Sequence, residues 1–257
     1  MKGIVLKSAG ELEVMAESGR IVARVLRRLG ESVRPGMATG ELETVARELI
    51  AAEGAEPAFL GYMGYPAAIC ASVDDEVVHG IPSGKRVLRE GSILSIDVGV
   101  RFDGYYGDAA ATFPVGKVSG KAGELLAVTR EALAAGIERM QPGGRLYDVS
   151  AAVQKYVEAR GFSVVRDFVG HGIGVSMHEE PQVPNFGTAG TGPEIRPGLV
   201  LAIEPMVNVG GWQVKVDADG WTVRTRDGSL SAHFEHTVAV TEGGPVILTV
   251  EEEVSIG

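Results

Sequence analysis

Apolar positions recur at Leu12, Met15, Ile21, Val22, Val25 and Leu29, an approximately helical spacing, and Ser8 stands where such a helix takes its cap. The pattern predicts an amphipathic helix from Ser8 to Leu29. After the break at Arg34-Pro35-Gly36, a second helix is expected from about Thr39 to Glu53, and Pro57, Gly61, Gly64 and Pro66 then mark a loop-rich segment. Strands are expected near Ala68–Val73 and Ile93–Val100. The first half therefore reads helix, helix, strand, strand.

The second of those strands opens a hairpin. Ile93 to Val100 is apolar apart from Ser95, Asp97 and Gly99, and Asp103-Gly104 is the dipeptide that supplies the positive φ angles of a tight turn. A two-residue loop there pairs Phe102 with Tyr105 and Gly99 with Asp108. Asp97 then lies diagonally from Asp108 on the same sheet face, roughly 7–8 Å away at the backbone. Two carboxylates so placed, one of them flanked by apolar residues, repel each other and are costly to bury unless a cation lies between them. They read as candidate metal ligands. The plainer alternative leaves Asp108 at the solvated end of the hairpin and Asp97 on an exposed face.

The second half repeats the first. Ser8-Ala-Gly-Glu-Leu12 resembles Lys121-Ala-Gly-Glu-Leu125, Arg34-Pro35-Gly36 resembles Gln141-Pro142-Gly143, and Leu94-Ser-Ile-Asp97 resembles Leu201-Ala-Ile-Glu204. The last two matches share one offset, which gives Asp97 a counterpart in Glu204. The expectation is helices and strands in both halves, an internal repeat of about 8–115 and 121–245 within 1–257, as a single α/β catalytic domain or two tightly fused halves. Two similar halves facing each other bring a carboxylate-bearing strand of each to a shared cleft.

Composition narrows the class. The chain has 257 residues, 45% of them apolar and 23% charged, ordinary proportions for a folded globular protein. A net charge of −10 argues against a general nucleic-acid binder, so no DNA partner is expected. Arg20, Arg24, Arg27 and Arg28 share one helix face that could meet an acidic partner such as ribosomal RNA, or could simply be solvated. Cys70 is the sole cysteine, which excludes an internal disulfide framework, and Glu11 and Glu13 stand where a leader peptide avoids acidic residues. A cytoplasmic location is expected. No run approaches the eighteen or so apolar residues of a membrane span, and no membrane role is expected.

Candidate chemistry concentrates in a few segments. Asp97, Asp108, Glu204 and Glu235 all sit in strand-like contexts, and in Ser231 to Val238 a strand would turn His233, Glu235 and Thr237 one way and His236 the other. Gly170-His171-Gly-Ile-Gly174-Val-Ser-Met177-His178 places two histidines around a glycine-rich turn. Such histidines are commonly structural, but the glycines on both sides of His171 favour close approach to a ligand.

At this point the chain resembles the bacterial-type (type I) methionine aminopeptidases over essentially its full length. The resemblance rests on Leu60-Gly-Tyr-Met-Gly-Tyr-Pro66, Val77-Val-His79-Gly-Ile-Pro82, Ser95-Ile-Asp97 with Gly107-Asp108, Gly170-His171-Gly-Ile-Gly174, Met177-His178-Glu-Glu-Pro181, Ala202-Ile-Glu204-Pro205 and His233-Phe-Glu235-His236-Thr237. It implies the pita-bread fold, with pseudo-twofold halves around a dinuclear metal site. Asp97, Asp108, His171, Glu204 and Glu235 fall on the family's five ligand positions, with Asp108 and Glu235 bridging. Glu204 would act as general base, while His79 and His178 fall on unligated histidines that touch the substrate. Tyr62, Tyr65, Cys70, Met177 and Trp221 fall at or near the pocket for the methionine side chain. Phe59, Met63, Asp74 and Met177 depart from the family's usual residues.

The implied activity is removal of the amino-terminal methionine from nascent proteins when the second residue is small. Four carboxylates and one imidazole suit two divalent ions of cobalt, manganese, iron or zinc. Peptides beginning with methionine and nascent chains are the expected partners, with ribosome association a further one, and the chain is expected to be a monomer. Two alternatives are an Xaa-Pro peptidase of the same fold, which usually carries an added amino-terminal domain, and a non-catalytic relative, which tends to lose ligands.

Overall fold

The computed structural model describes residues 3–254. Helix α1 (Ala9–Ser32) begins where its sequence signal lies: Glu11 accepts from both the backbone N–H and the hydroxyl of Ser8, each at 2.7 Å. Its apolar stripe, Leu12 to Leu29, is buried, and its polar face carries the four arginines. Those arginines meet glutamates: Arg20 and Arg24 pair with Glu17, Arg24 also with Glu53, Arg27 with Glu31 and Glu251, and Arg28 with Glu31. Helix α2 (Thr39–Ala52) follows within one residue of its expected end.

Strand β1 (Ile69–Val73) pairs antiparallel with β2 (Ile93–Phe102), which continues through the Asp103-Gly104 turn into β3 (Tyr105–Pro114). Both turn residues have positive φ, 46° and 86°. Phe102 faces Tyr105 and Gly99 faces Asp108, the register that a two-residue loop demands. Leu94, Ile96, Val98 and Val100 then pack against α1 and α2 to form one core.

Helices α3 (Gly120–Ile137) and α4 (Leu146–Glu158) open the second half, α3 capped by the Ser119 hydroxyl accepting from the Ala122 N–H. Strand β4 (Gly170–Gly172) lies between β5 (Glu179–Val183) and β6 (Val200–Ile203). Strand β7 (Met206–Asn208) pairs with β8 (Ser231–His233), and β6 with β9 (His236–Thr241). Leu201, Ile203, Val238 and Val240 join α3 and α4 in a second core.

One expectation is corrected here. The strand read through Ser231 to Val238 is interrupted at Phe234-Glu235, between β8 and β9. Pro205 on the facing strand has no N–H to give the ladder, and the Glu235 N–H turns instead to the Ala110 carbonyl of the first half at 2.8 Å. The alternation survives the break: the His233 and Glu235 side chains approach each other and Thr237 reaches Asp108, while His236 Nδ1 lies 2.8 Å from Thr249 Oγ1. The register also survives: Ile203 faces His236 and Met206 faces His233, so Glu204 falls opposite Glu235.

The halves are stitched together by two threonines. Thr112 Oγ1 donates to the His233 carbonyl and accepts from the His233 N–H, at 2.8 and 2.9 Å. Thr237 Oγ1 does the same for Asp108, at 2.8 and 3.0 Å. Among the described residues no helix is long and apolar enough to cross a membrane.

Candidate metal centre

Five side chains from different elements converge between the halves. Asp97 comes from the middle of β2, Asp108 from β3, His171 from β4, Glu204 from just beyond β6, and Glu235 from the gap between β8 and β9. Donor atoms of Asp108, His171 and Glu235, all buried, lie within 4.8 Å of one another. His171 Nε2 is 3.8 Å from Asp108 Oδ2 and 3.7 Å from Glu204 Oε1. The other ring nitrogen, Nδ1, is 2.9 Å from the Gly172 carbonyl, so it carries the proton and leaves the Nε2 lone pair directed at the carboxylates.

The electrostatics are those of an uncompensated cluster. Burial raises the Asp97 carboxyl to about 7. Burial first, and then repulsion from neighbouring carboxylates, push Asp108, Glu204 and Glu235 well above the carboxylate range. Burial holds His171 down at about 3, hence neutral. Asp97 Oδ1, Asp108 Oδ1 and Glu235 Oε1 are buried without a hydrogen-bond partner. Among the described residues no lysine or arginine pairs with any of the four acids, so their charge is left for another kind of cation to balance. The donor set of carboxylate oxygens and one imidazole nitrogen fits divalent first-row ions.

Beside this cluster is a cavity of about 200 Å³, lined by Phe59, Tyr62, Met63, Tyr65, Cys70, His79, Met177, His178 and Trp221 together with the five. Every residue that the sequence assigned to the substrate is there. The Tyr65 hydroxyl lies 3.1 Å from both the Ile69 and Gly80 carbonyls, and its ring meets Trp221 edge-on at 5.1 Å. Cys70 is buried and faces Asp97 across the β1–β2 ladder. His79 has φ 60°, and its ring stands edge-on to Phe168 at 5.7 Å. The His178 ring is exposed at the mouth, 4.1 Å from the His171 ring and stacked on Tyr62 at 5.2 Å.

The four departures fall in different places. Phe59 packs over Gly99, where a Cβ would come within 2.6 Å of its ring. Met63 is 83% exposed at the rim with φ 49°, whereas Met177 is buried in the lining. Asp74 is not among the lining residues; its carboxylate accepts from the Ser92 hydroxyl and the Ile93 N–H, which braces the start of β2.

Two residues near the site escaped sequence reasoning, and a third was noted there for its direction without a role. Phe168 backs His79, and buried Lys7 pairs with Glu179 at 2.7 Å, anchoring the residue next to His178. His233 is 1% exposed, and burial pushes its imidazole down to about 3. The alternation with Glu235 marks its direction in the sequence but gives it no role.

Comparison with known proteins accords with this geometry. The model of metallopeptidase family M24 matches residues 13–242. A methionine aminopeptidase of Clostridium acetobutylicum is 50% identical over 249 residues, 97% of this chain and 100% of that one. Methionine aminopeptidase 1 of Bacillus subtilis is 51% identical, covering 96% of this chain and 99% of its own. The crystal structure of a methionine aminopeptidase from Thermotoga maritima superposes with a TM-score of 0.96 at 49% identity, over 97% of this chain and 100% of that one. A prolidase from Pyrococcus furiosus shares the pita-bread fold at a TM-score of 0.78 and 22% identity, this chain spanning 66% of its length. The chain belongs to metallopeptidase family M24 and, within it, to the methionine aminopeptidases.

Proposed function

We propose that the chain removes the amino-terminal methionine from nascent proteins whose second residue is small, and that Asp97, Asp108, His171, Glu204 and Glu235 hold two divalent ions of manganese, iron, cobalt or zinc for the purpose. The observation that carries this reading is the set of three buried, unpartnered carboxylate oxygens beside an imidazole whose Nε2 is left free. When bound, such ions supply Lewis acidity, which makes water a nucleophile near neutral pH and polarises the scissile carbonyl.

The chain's own residues supply the rest. Asp108 lies on β3 of the first half and Glu235 in the break between β8 and β9, held to that half by its N–H on the Ala110 carbonyl, and the two would be the carboxylates shared by both ions. Glu204, with 13% of its side chain exposed, is the base that takes the proton from the attacking water. His178, at the mouth, donates from Nε2 to the carbonyl oxygen as it gains charge. His79, deeper in the cavity, contacts the peptide nitrogen. Tyr65, Cys70, Met177 and Trp221, with Tyr62 above them, offer an aromatic and sulfur lining that suits a long thioether.

We assign the whole of 1–257 to one catalytic domain built as a repeat of about 8–115 and 121–245. The common register of β2–β3 and of β6–β7 with β8–β9 supports it. Cytoplasmic action as a monomer on nascent chains completes the proposal. Ribosome contact through the α1 arginines would have to compete with their glutamate partners.

The test is initial rates of metal-loaded protein on Met-Ala-Ser, Met-Leu-Ser, Leu-Ala-Ser and Ala-Pro-Ser. Met-Ala-Ser should be fastest, and loss of the first-residue fit in Leu-Ala-Ser should cost about 1–3 kcal/mol. Faster release of alanine from Ala-Pro-Ser would favour an Xaa-Pro peptidase instead.

A further inference from the structure

The strand registers set one more residue against the metal centre. In the first half Gly99 faces Asp108 and Asp97 faces Ala110; in the second Met206 faces His233 and Glu204 falls opposite Glu235. Laying Asp97 on Glu204 therefore lays Ala110 on Glu235 and Asp108 on His233. The threonine stitches obey the same exchange, because Thr237 brackets the Asp108 backbone as Thr112 brackets that of His233. His233 thus holds, in the second half, the place that Asp108 holds in the first. Its Nε2 is buried without a hydrogen-bond partner, 3.7 Å from Glu204 Oε2 and 3.9 Å from Glu235 Oε2.

We propose that His233 is a positioning residue of the metal centre, an imidazole whose Nε2 is aimed at the carboxylates of Glu204 and Glu235 and, by donating an N–H to them, fixes how they face the ions. A shift of about 1 Å brings either oxygen within hydrogen-bond reach. An imidazole rather than a carboxylate suits the position. Four carboxylates already balance two divalent ions, and a fifth at the place of His233 would add a buried charge with nothing to offset it. An imidazole donor keeps the symmetry of the strands without adding a negative charge.

The inference rests on the two-ion reading, and one experiment separates them. Metal-free protein is titrated calorimetrically with Mn²⁺, alongside His233→Leu, which removes the donor at similar bulk, and His233→Gln, which restores an N–H. Wild type should take up two ions. In His233→Leu the weaker ion should lose roughly 10–100-fold in affinity, the usual effect of removing a group that orients ligands. His233→Gln should return most of it. If His233→Leu does not fold by circular dichroism, His233→Asn, whose shorter amide stops short of both carboxylates, should show the same weakening relative to His233→Gln. Two ions bound as tightly in the donorless variant as in wild type would overturn the role of His233, as would a folded His233→Gln no better than His233→Leu. Uptake of a single ion by wild type would instead overturn the two-ion reading.

Discussion

The Tyr62 hydroxyl lies 2.8 Å from His178 Nδ1, with the two rings stacked at 25°. If the phenol donates, Nδ1 is the acceptor and the His178 proton sits on Nε2, the nitrogen needed to donate to a substrate carbonyl. His178→Ala should therefore keep its metal and lose roughly 10²–10³ in rate, the range for one oxyanion donor. Tyr62→Phe keeps the ring and loses the hydrogen bond, worth about 1 kcal/mol. Its kcat should fall by about fivefold to tenfold with metal content unchanged. Steady-state rates and metal analysis decide both; a His178→Ala protein that loses metal would contradict the assignment.

Asp108→Ala should abolish metal loading and turnover together. Asp108 lies against Asp97, Glu204 and Glu235, and on the two-ion proposal removing it would take a carboxylate from between the cations. Its backbone bonds to Thr237 do not need the side chain, so the fold should persist. Metal analysis of the purified variant is the check, and two tightly held ions with normal turnover would exclude the bridging role.

How far the site could be read from sequence follows from the range of its contacts. The β2–β3 hairpin was legible because its turn dipeptide and its register are local, and the α1 cap was legible because Ser8 and Glu11 are one turn apart. The end of β8 was not, because it depends on Pro205 across the ladder and on Ala110 in the other half. Lys7 and Glu179 lie 172 positions apart and show no pattern that would pair them. His233 falls between these cases: the alternation marked its direction, but its likeness to Asp108 emerges only when both registers are known.

Removing the metal should make stability fall with pH in a defined window. Asp97, raised to about 7, and Asp108, Glu204 and Glu235, raised well above the carboxylate range, have folded-state values above their unfolded ones. Such groups stabilise the fold fully below their unfolded values and lose that contribution as pH rises through the folded ones. The buried histidines oppose this. His79 and His236 are lowered to about 4 and His171 and His233 to about 3, so their contribution grows with pH through the unfolded imidazole's value near 6.5 and is complete only by about pH 7.5. Above pH 8 the unfolded chain's Cys70 begins to ionise, while burial keeps the folded thiol protonated. Between pH 6.5 and 8 the carboxylates therefore act against only the remainder of the histidine rise, about 0.4 kcal/mol for each imidazole. Asp97 by itself should cost about 1 kcal/mol across that interval, a drop of about 2–4 °C in melting temperature, and the other three acids deepen it. Metal-saturated protein should show no such slope, since its carboxylates are ionised in the folded state as well. Thermal melts at four pH values, in chelator and in excess Mn²⁺, give the comparison. A chelated protein whose melting temperature is flat or rises from pH 6.5 to 8 would mean that the cluster ionises without a cation and that the four carboxylates are not held for one.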